Sequence, residues 1–352
     1  MHAMDRHPVE PADQSGLGPD PDIVHSILAI RPGGVGDAVR AVPALRHLRA
    51  TYPGARITVA ASAPGRELLD ACPYVDRVVD LAQPSEALIE RFDVALSWAR
   101  PDRVDGLLAV DDVDARFRAS WRTDGEAERG AIHPAWPERL DSATRMLRLS
   151  WLLGGSFDMD ASFGLWPSLA DRNGAARLVA GSVRPIALVH VGARSKVQRW
   201  PADRWAAVID LLDGAGLDPV VVGTRVDRAA TLAMLGGVRH APTSVVGRTS
   251  IGELAGLLER SMLFVGADSG PAAMAGALGV RSVIVGPASP FEHDVRPGQV
   301  DVVGAGPCPV CREQVCEHPP RPISDVPLER VLARVELAAA TAMQRWRRSR
   351  LA

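Results

Sequence analysis

Short apolar runs recur along this chain with helical spacing between them. In the first half they are Ser26–Ile30, Arg56–Ala60, Arg77–Leu81 and Phe92–Leu96. In the second half they are Pro185–His190, Leu217–Gly223, Met262–Gly266 and Arg281–Gly286. Runs this short, with little polar alternation, read as strands buried on both faces. The turn Tyr52-Pro53-Gly54 stops the first helix before the second run. Strand–helix alternation predicts a parallel sheet covered by helices on both sides. Each half opens with an apolar strand that enters a glycine-containing loop, so the pattern restarts at Pro185. The expected fold is α/β, with two Rossmann-like domains facing across a cleft. Residues 1–22, rich in Pro, Asp and Gly, read as a mobile tail. The first domain is expected at 23–172, a hinge at 173–184, the second domain at 185–326 and a last helix at 327–352. Turn signals at Ala170–Gly174 and Gly181–Pro185 place that hinge. The stretch from Pro101 to Trp166 is harder to read. Its Trp121, Trp136 and Trp151 could be core or could line a pocket, and common usage of aromatics favours core.

Composition changes this picture little. Of 352 residues, 47% are hydrophobic, enough for two packed cores. A formal net charge of −2 implies no general pull towards nucleic acid or an anionic membrane. No apolar stretch is long enough to span a bilayer, and the first residues lack a signal-peptide core, so a cytoplasmic location is expected. Lys196 is the one lysine among 40 basic residues. A compact ammonium kept where arginine serves everywhere else suits a phosphate.

Four stretches carry candidate chemistry. In Ile30–Pro43, IRPGGVGDAVRAVP, the glycines Gly33, Gly34 and Gly36 turn the chain from strand to helix, and Asp37 follows. Asp37 could be a helix cap. It could equally be a catalytic base at the carboxyl edge of the sheet, where such folds bind ligands. The loop after the fifth of these runs, HVGARSKVQRWP, offers Arg194, Lys196 and Arg199 for a diphosphate, or is an ordinary solvated basic loop. In FVGADSGPAAMAGALGV, Asp268, Ser269 and Gly270 turn into a helix opened by Pro271. Its first N–H groups and the Ser269 hydroxyl could hold an anion, unless Asp268 or Ser269 simply caps the helix. Asp227, after another strand, could accept from a ribose or be a surface acid starting a helix. Ser250 and Glu253 form a capping-box pattern and read as structure. Cys308, Cys311, Cys316 and His318 could hold a structural zinc, or be free thiols in a Pro-rich loop. Cys72 reads as core.

Together and in this order, these motifs resemble the ADP-heptose:lipopolysaccharide heptosyltransferases, glycosyltransferase family 9. The resemblance lies in IRPGGVGDAVRAVPALRHLRATYPGARITV, ACPYVDRVVDL, HVGARSKVQRWPADRW and VGRTSIGELAGLLERSMLFVGADSGPAAMAGALGV. It implies a GT-B fold with an N-terminal acceptor domain and a C-terminal nucleotide-sugar domain. It also implies an inverting, metal-independent transfer needing no cofactor, from ADP-heptose to an acceptor hydroxyl. The family's general base falls on Asp37. Its donor site falls on Arg194–Arg199, on Asp268, Ser269, Gly270 and Pro271, and on Asp227 as the ribose acid. The chain departs from the family's pattern with Gln198 before Arg199-Trp200, with Ala273, and with Arg40, Ala41 and Val42 after Asp37. The acceptor is expected to be the lipopolysaccharide core or a small soluble natural-product intermediate. The first half shows few clustered cations for a phosphorylated lipid, with Arg66 and Arg77 standing apart, and this tilts that choice towards the soluble one. A catalytically inactive sugar-nucleotide binder is the alternative. A nicotinamide dehydrogenase is disfavoured, because IRPGGVGD lacks Gly-x-Gly-x-x-Gly spacing.

Overall fold

A computed structural model describes residues 18–83, 90–100, 108–122, 131–137, 140–155, 163–193, 199–286, 300–304 and 323–351. The first lobe contains β1 (Ser26–Arg31), α1 (Val35–Thr51), β2 (Arg56–Ala61), α2 (Ala63–Asp70), β3 (Arg77–Asp80), β4 (Phe92–Ser97), β5 (Ala115–Ser120), β6 (Ala131–Ile132) and α3 (Ser142–Trp151). The chain continues through α4 (Leu169–Leu178), β7 (Ile186–His190), α5 (Ala202–Gly214), β8 (Asp218–Val222) and α6 (Arg228–Leu235). It then runs through β9 (Thr243–Ser244), α7 (Ile251–Arg260), β10 (Ser261–Ala267), α8 (Gly270–Ala277), β11 (Ser282–Val285), β12 (Val300–Val303) and α9 (Leu328–Leu351).

Two six-stranded parallel sheets result, ordered β3-β2-β1-β4-β5-β6 and β12-β11-β10-β7-β8-β9. Counted from each lobe's own first strand, the two orders are the same. The strand order reverses between β1 and β4 in one sheet and between β7 and β10 in the other, and ligands bind open α/β sheets at such switch points. The apolar runs explain the centre of each sheet: every residue of β1 after Ser26, and all of β7, is buried. Cys72 is buried, as expected for core.

Two readings change. The Ala170–Gly174 segment is no turn, because α4 runs through it. Ser168 and Asp171 close a capping box that starts this helix, and Gly174 lets α4 approach α7. A Cβ at Gly174 would stand 2.2 Å from Glu253 Oε1. Arg172 adds a two-pronged bond to Glu259 across the same contact, at 2.7 and 2.9 Å. The link between lobes therefore carries a helix that packs on the second lobe. The second change is in the middle of the chain. Its Ala115–Ser120 and Ala131–Ile132 segments extend the first sheet, and Trp121 is buried as core. Arg116 and Arg118 in β5 gave that strand a polar look.

The lobes share one buried apolar cluster. It joins Ala38, Val39 and Leu45 of α1 to Ala272, Met274 and Ala275 of α8. A polar clasp reinforces it: Glu67 Oε1 on α2 accepts the N–H groups of Ile251 and Gly252 at the start of α7, at 2.6 and 3.4 Å.

Candidate active site between the lobes

The turn after β1 is built by glycine and closed by Asp37. Gly33 has φ +123°, a conformation that L side chains rarely adopt. A Cβ there would also meet Asp37 Oδ2 at 2.2 Å. Asp37 Oδ2 accepts the Gly34 N–H at 2.8 Å, so the acid does cap α1. It is not used up by that role. Its side chain is 35% exposed, and its other oxygen, Oδ1, accepts from Arg31 Nη2 at 2.6 Å. Burial pushes the Arg31 guanidinium below its usual range, while Asp37 holds it up. Arg40 and Arg145 also stand close enough to oppose its charge. Arg145 and Arg100 both lie over the Trp136 ring, at 4.6 and 5.6 Å. Arg31 thus meets Asp37 directly, and Arg40 and Arg145 stand near Arg31. Arg66, by contrast, pairs with Asp80.

The turn after β10 is built differently. Ser269 is the N-cap residue of α8, yet it makes no side-chain cap bond. Its Oγ instead lies 2.9 Å from the Ala267 carbonyl and 3.1 Å from His190 Nδ1. The Ser269 side chain therefore does not cap α8, and a helix start suits an anion where its first N–H groups are not answered by a side chain. The hydroxyl itself has one proton. While that proton serves Ala267, a ligand must rely on the backbone N–H groups or reorient the hydroxyl.

His190 ties Ser269 to a second group. Its Nε2 is 3.8 Å from Asp227 Oδ2, an ion-pair distance longer than a hydrogen bond. Asp227 Oδ2 accepts the N–H and hydroxyl of Thr224 at 2.7 and 2.9 Å. Burial alone would raise the Asp227 pKa, but the imidazole and the Thr224 donors hold it down to about 2. Asp227 is no surface acid: its side chain is 12% exposed. Arg199 is exposed, and its Nε donates to the Ala193 carbonyl at 3.4 Å. Arg194, Lys196 and the Cys308, Cys311, Cys316 and His318 group lie outside the described residues. Among the described residues no cluster of three or more His, Cys, Asp or Glu could hold a metal, and no helix is long and apolar enough to cross a membrane.

The two turns meet. A Cβ on Gly36 would stand 3.8 Å from Gly270 Cα and 3.6 Å from Ala273 Cβ. A Cβ on Gly270 would stand 3.0 Å from Val35 Cβ. A Cβ at Gly36 would make ordinary contact with α8, whereas one at Gly270 would press on Val35, so the close approach of α1 to α8 depends on Gly270. Asp37, the residue after Gly36, is thereby brought beside the start of α8. Arg31, Arg40, Arg145 and His190 complete the site, and motif reading had assigned none of them a role in it. Each belongs to an ordinary stretch of strand or helix. The one signal was a charged or polar residue at a strand's carboxyl end, visible for Arg31 and His190.

Residues 140–313 match the family described as Glycosyltransferase family 9 (heptosyltransferase). The lipopolysaccharide heptosyltransferase 2 of Salmonella typhimurium is 27% identical over 295 residues, 75% of this chain and 83% of that protein. The chain belongs to glycosyltransferase family 9. A family 9 glycosyltransferase from Veillonella parvula shares the fold with TM-score 0.73 and 18% identity, over 90% of this chain and 98% of the other. The Escherichia coli ADP-heptose lps heptosyltransferase II does so with TM-score 0.69 and 20% identity, over 90% and 99%. This glycosyltransferase therefore has the GT-B fold, with its two sheets as the two lobes. The matched family segment covers the α8 turn and leaves Asp37 outside it.

Proposed function

We propose that this glycosyltransferase moves a heptose from ADP-heptose to an acceptor hydroxyl with inversion, and that Asp37 takes the acceptor's proton. The observation that carries the reading is the contact of the two turns, which sets a partly exposed carboxylate beside a helix start that the Ser269 side chain does not cap. ADP-heptose is the sugar nucleotide named for the Escherichia coli structural relative. The acceptor O–H bond breaks as its oxygen bonds to the anomeric carbon, and the bond from that carbon to the diphosphate oxygen breaks on the opposite side. The proton ends on Asp37 and the electron pair on ADP. A carboxylate is a weak base at neutral pH, so proton transfer comes late, once the acceptor oxygen has gained positive charge. The first N–H groups of α8 meet the negative charge growing on the diphosphate. Arg194, Lys196 and Arg199 are assigned to the same diphosphate, and Asp268 to a sugar hydroxyl. Asp227 is assigned to the ribose through Oδ1, since Oδ2 is already engaged. The acceptor is either the lipopolysaccharide core or a small soluble intermediate.

The test is ADP release from ADP-heptose in the presence of truncated lipopolysaccharide core or soluble sugar acceptors. The expected result is ADP release matched by a one-heptose gain in acceptor mass. Asp37→Asn should cut the rate by about a hundredfold or more while ADP-heptose binding, measured by calorimetry, holds. Full turnover by Asp37→Asn would remove Asp37 as base. Binding with no turnover across the panel would make the chain a sugar-nucleotide binder.

A further inference from the structure

Arg31, the last residue of β1, is 8% exposed, yet it is one of the best-bonded side chains at the site. Its Nη1 donates to the Pro32 carbonyl at 2.8 Å and its Nε to the Asp37 carbonyl at 3.3 Å. Its Nη2 donates to Asp37 Oδ1 at 2.6 Å. The first two bonds pin the glycine turn. The third does something the turn does not need. Asp37 Oδ2 is already held by the Gly34 N–H, and one hydrogen bond leaves a carboxylate free to rotate about it. A second bond, to the other oxygen, fixes the plane of the group. A carboxylate has about four lone-pair directions, so two remain for a substrate proton.

We propose that Arg31 is the positioning residue of Asp37: it locks the plane of the carboxylate so that its unused lone pairs face the acceptor hydroxyl. The inference rests on Asp37 being the base. Base catalysis is sensitive to misplacement of this kind, because the reacting groups must be held within about half an ångström and 10–20° of the productive geometry. The task also selects arginine. One rigid fork reaches the Asp37 carbonyl through Nε and the Asp37 carboxylate through Nη2, which a lysine ammonium cannot reproduce with the same direction.

The experiment compares Arg31→Met, Arg31→Lys, Arg31→Ala and Asp37→Asn, with ADP release from ADP-heptose as the rate and calorimetry as the measure of donor binding. Arg31→Met should lower the rate about a hundredfold with donor affinity within twofold of the parent. Arg31→Lys should recover only part of that loss. Added guanidinium ion at tens of millimolar should raise the rate of Arg31→Ala at least tenfold and leave Asp37→Asn unchanged. The double variant Arg31→Met/Asp37→Asn should be no slower than Asp37→Asn. A parental rate in Arg31→Met or in folded Arg31→Lys would overturn the proposal. So would a loss of donor binding matching the loss of rate, since that marks a general collapse of the turn. Should Arg31→Met fail to fold, Arg31→Lys and guanidinium rescue decide. If Asp37→Asn is as fast as the parent, the base assignment itself has failed. If Asp37→Asn is slow and the Arg31 variants are not, only the positioning role has.

Discussion

The two glycine turns flank the switch points of two like sheets, after β1, the first strand of its lobe, and after β10, the fourth strand of the other, and their helix starts are treated in opposite ways. At α1 the positive end is answered by the chain's own Asp37. At α8 the N-cap residue does not answer it, because Ser269 turns back to Ala267 and His190. A helix start that carries its own acid has little attraction for a further anion, whereas an open one attracts it. One architecture thus presents a carboxylate on one wall of the cleft and an anion cradle on the other. That polarity suits a reaction in which one partner loses a proton and the other departs with negative charge.

The comparison can be broken by making the turns alike. Ser269→Asp would give α8 the acid that α1 has. The ADP dissociation constant should rise about a hundredfold, on the order of 3 kcal/mol for a carboxylate facing a diphosphate across a partly wet cleft. Calorimetry of ADP binding checks this, and unchanged affinity would mean the diphosphate sits elsewhere. A smaller effect should follow at Asp227. Its pKa is lowered from the ordinary 3.8 to about 2, so folding keeps it ionised. The stabilisation is fully present above 3.8 and is lost as pH falls through about 2. Asp227→Asn should therefore lower stability by about 2 kcal/mol at neutral pH. The gap to the parent in urea unfolding should narrow as pH approaches 3, and a constant gap would show that the charge is not the cause. The smallest effect is expected at the inter-lobe clasp. Glu67→Gln weakens a charge-assisted bond at a partly exposed site, for a loss of about 1 kcal/mol. It should loosen the lobes, seen as a larger radius of gyration in solution scattering without ADP. An identical radius would assign closure to the apolar contact of α1 with α8 alone.

Much of this was legible before any coordinates. The apolar runs match eight of the twelve strands to within a residue or two, all but β5, β6, β9 and β12, because parallel strands buried on both faces leave an uninterrupted signature. The glycine turns were visible because positive φ and close approach exclude most side chains. What escaped were elements whose pattern was mixed. Helix α4 hid behind Asn173-Gly174, since the reason for a helical glycine there is Glu253 on another helix. Strand β5 hid behind Arg116 and Arg118.

The residues in sequence alone determined the fold class, the two-lobe duplication, and the identities of Asp37 and of the Asp268–Pro271 turn as candidates, because each of these rests on local spacing. The tertiary structure decided which candidates work together. It brought Gly36 to Gly270, placed Arg31 on Asp37, and drew Arg40 and Arg145 from separate helices near Arg31. It also turned Ser269 away from the helix it begins. Gly36 with Gly270, Arg145 with Arg31 and Ser269 with His190 lie tens to hundreds of positions apart and depend on how sheets and helices stack, while the bond of Arg31 to Asp37, six positions on, depends on the path of the turn between them.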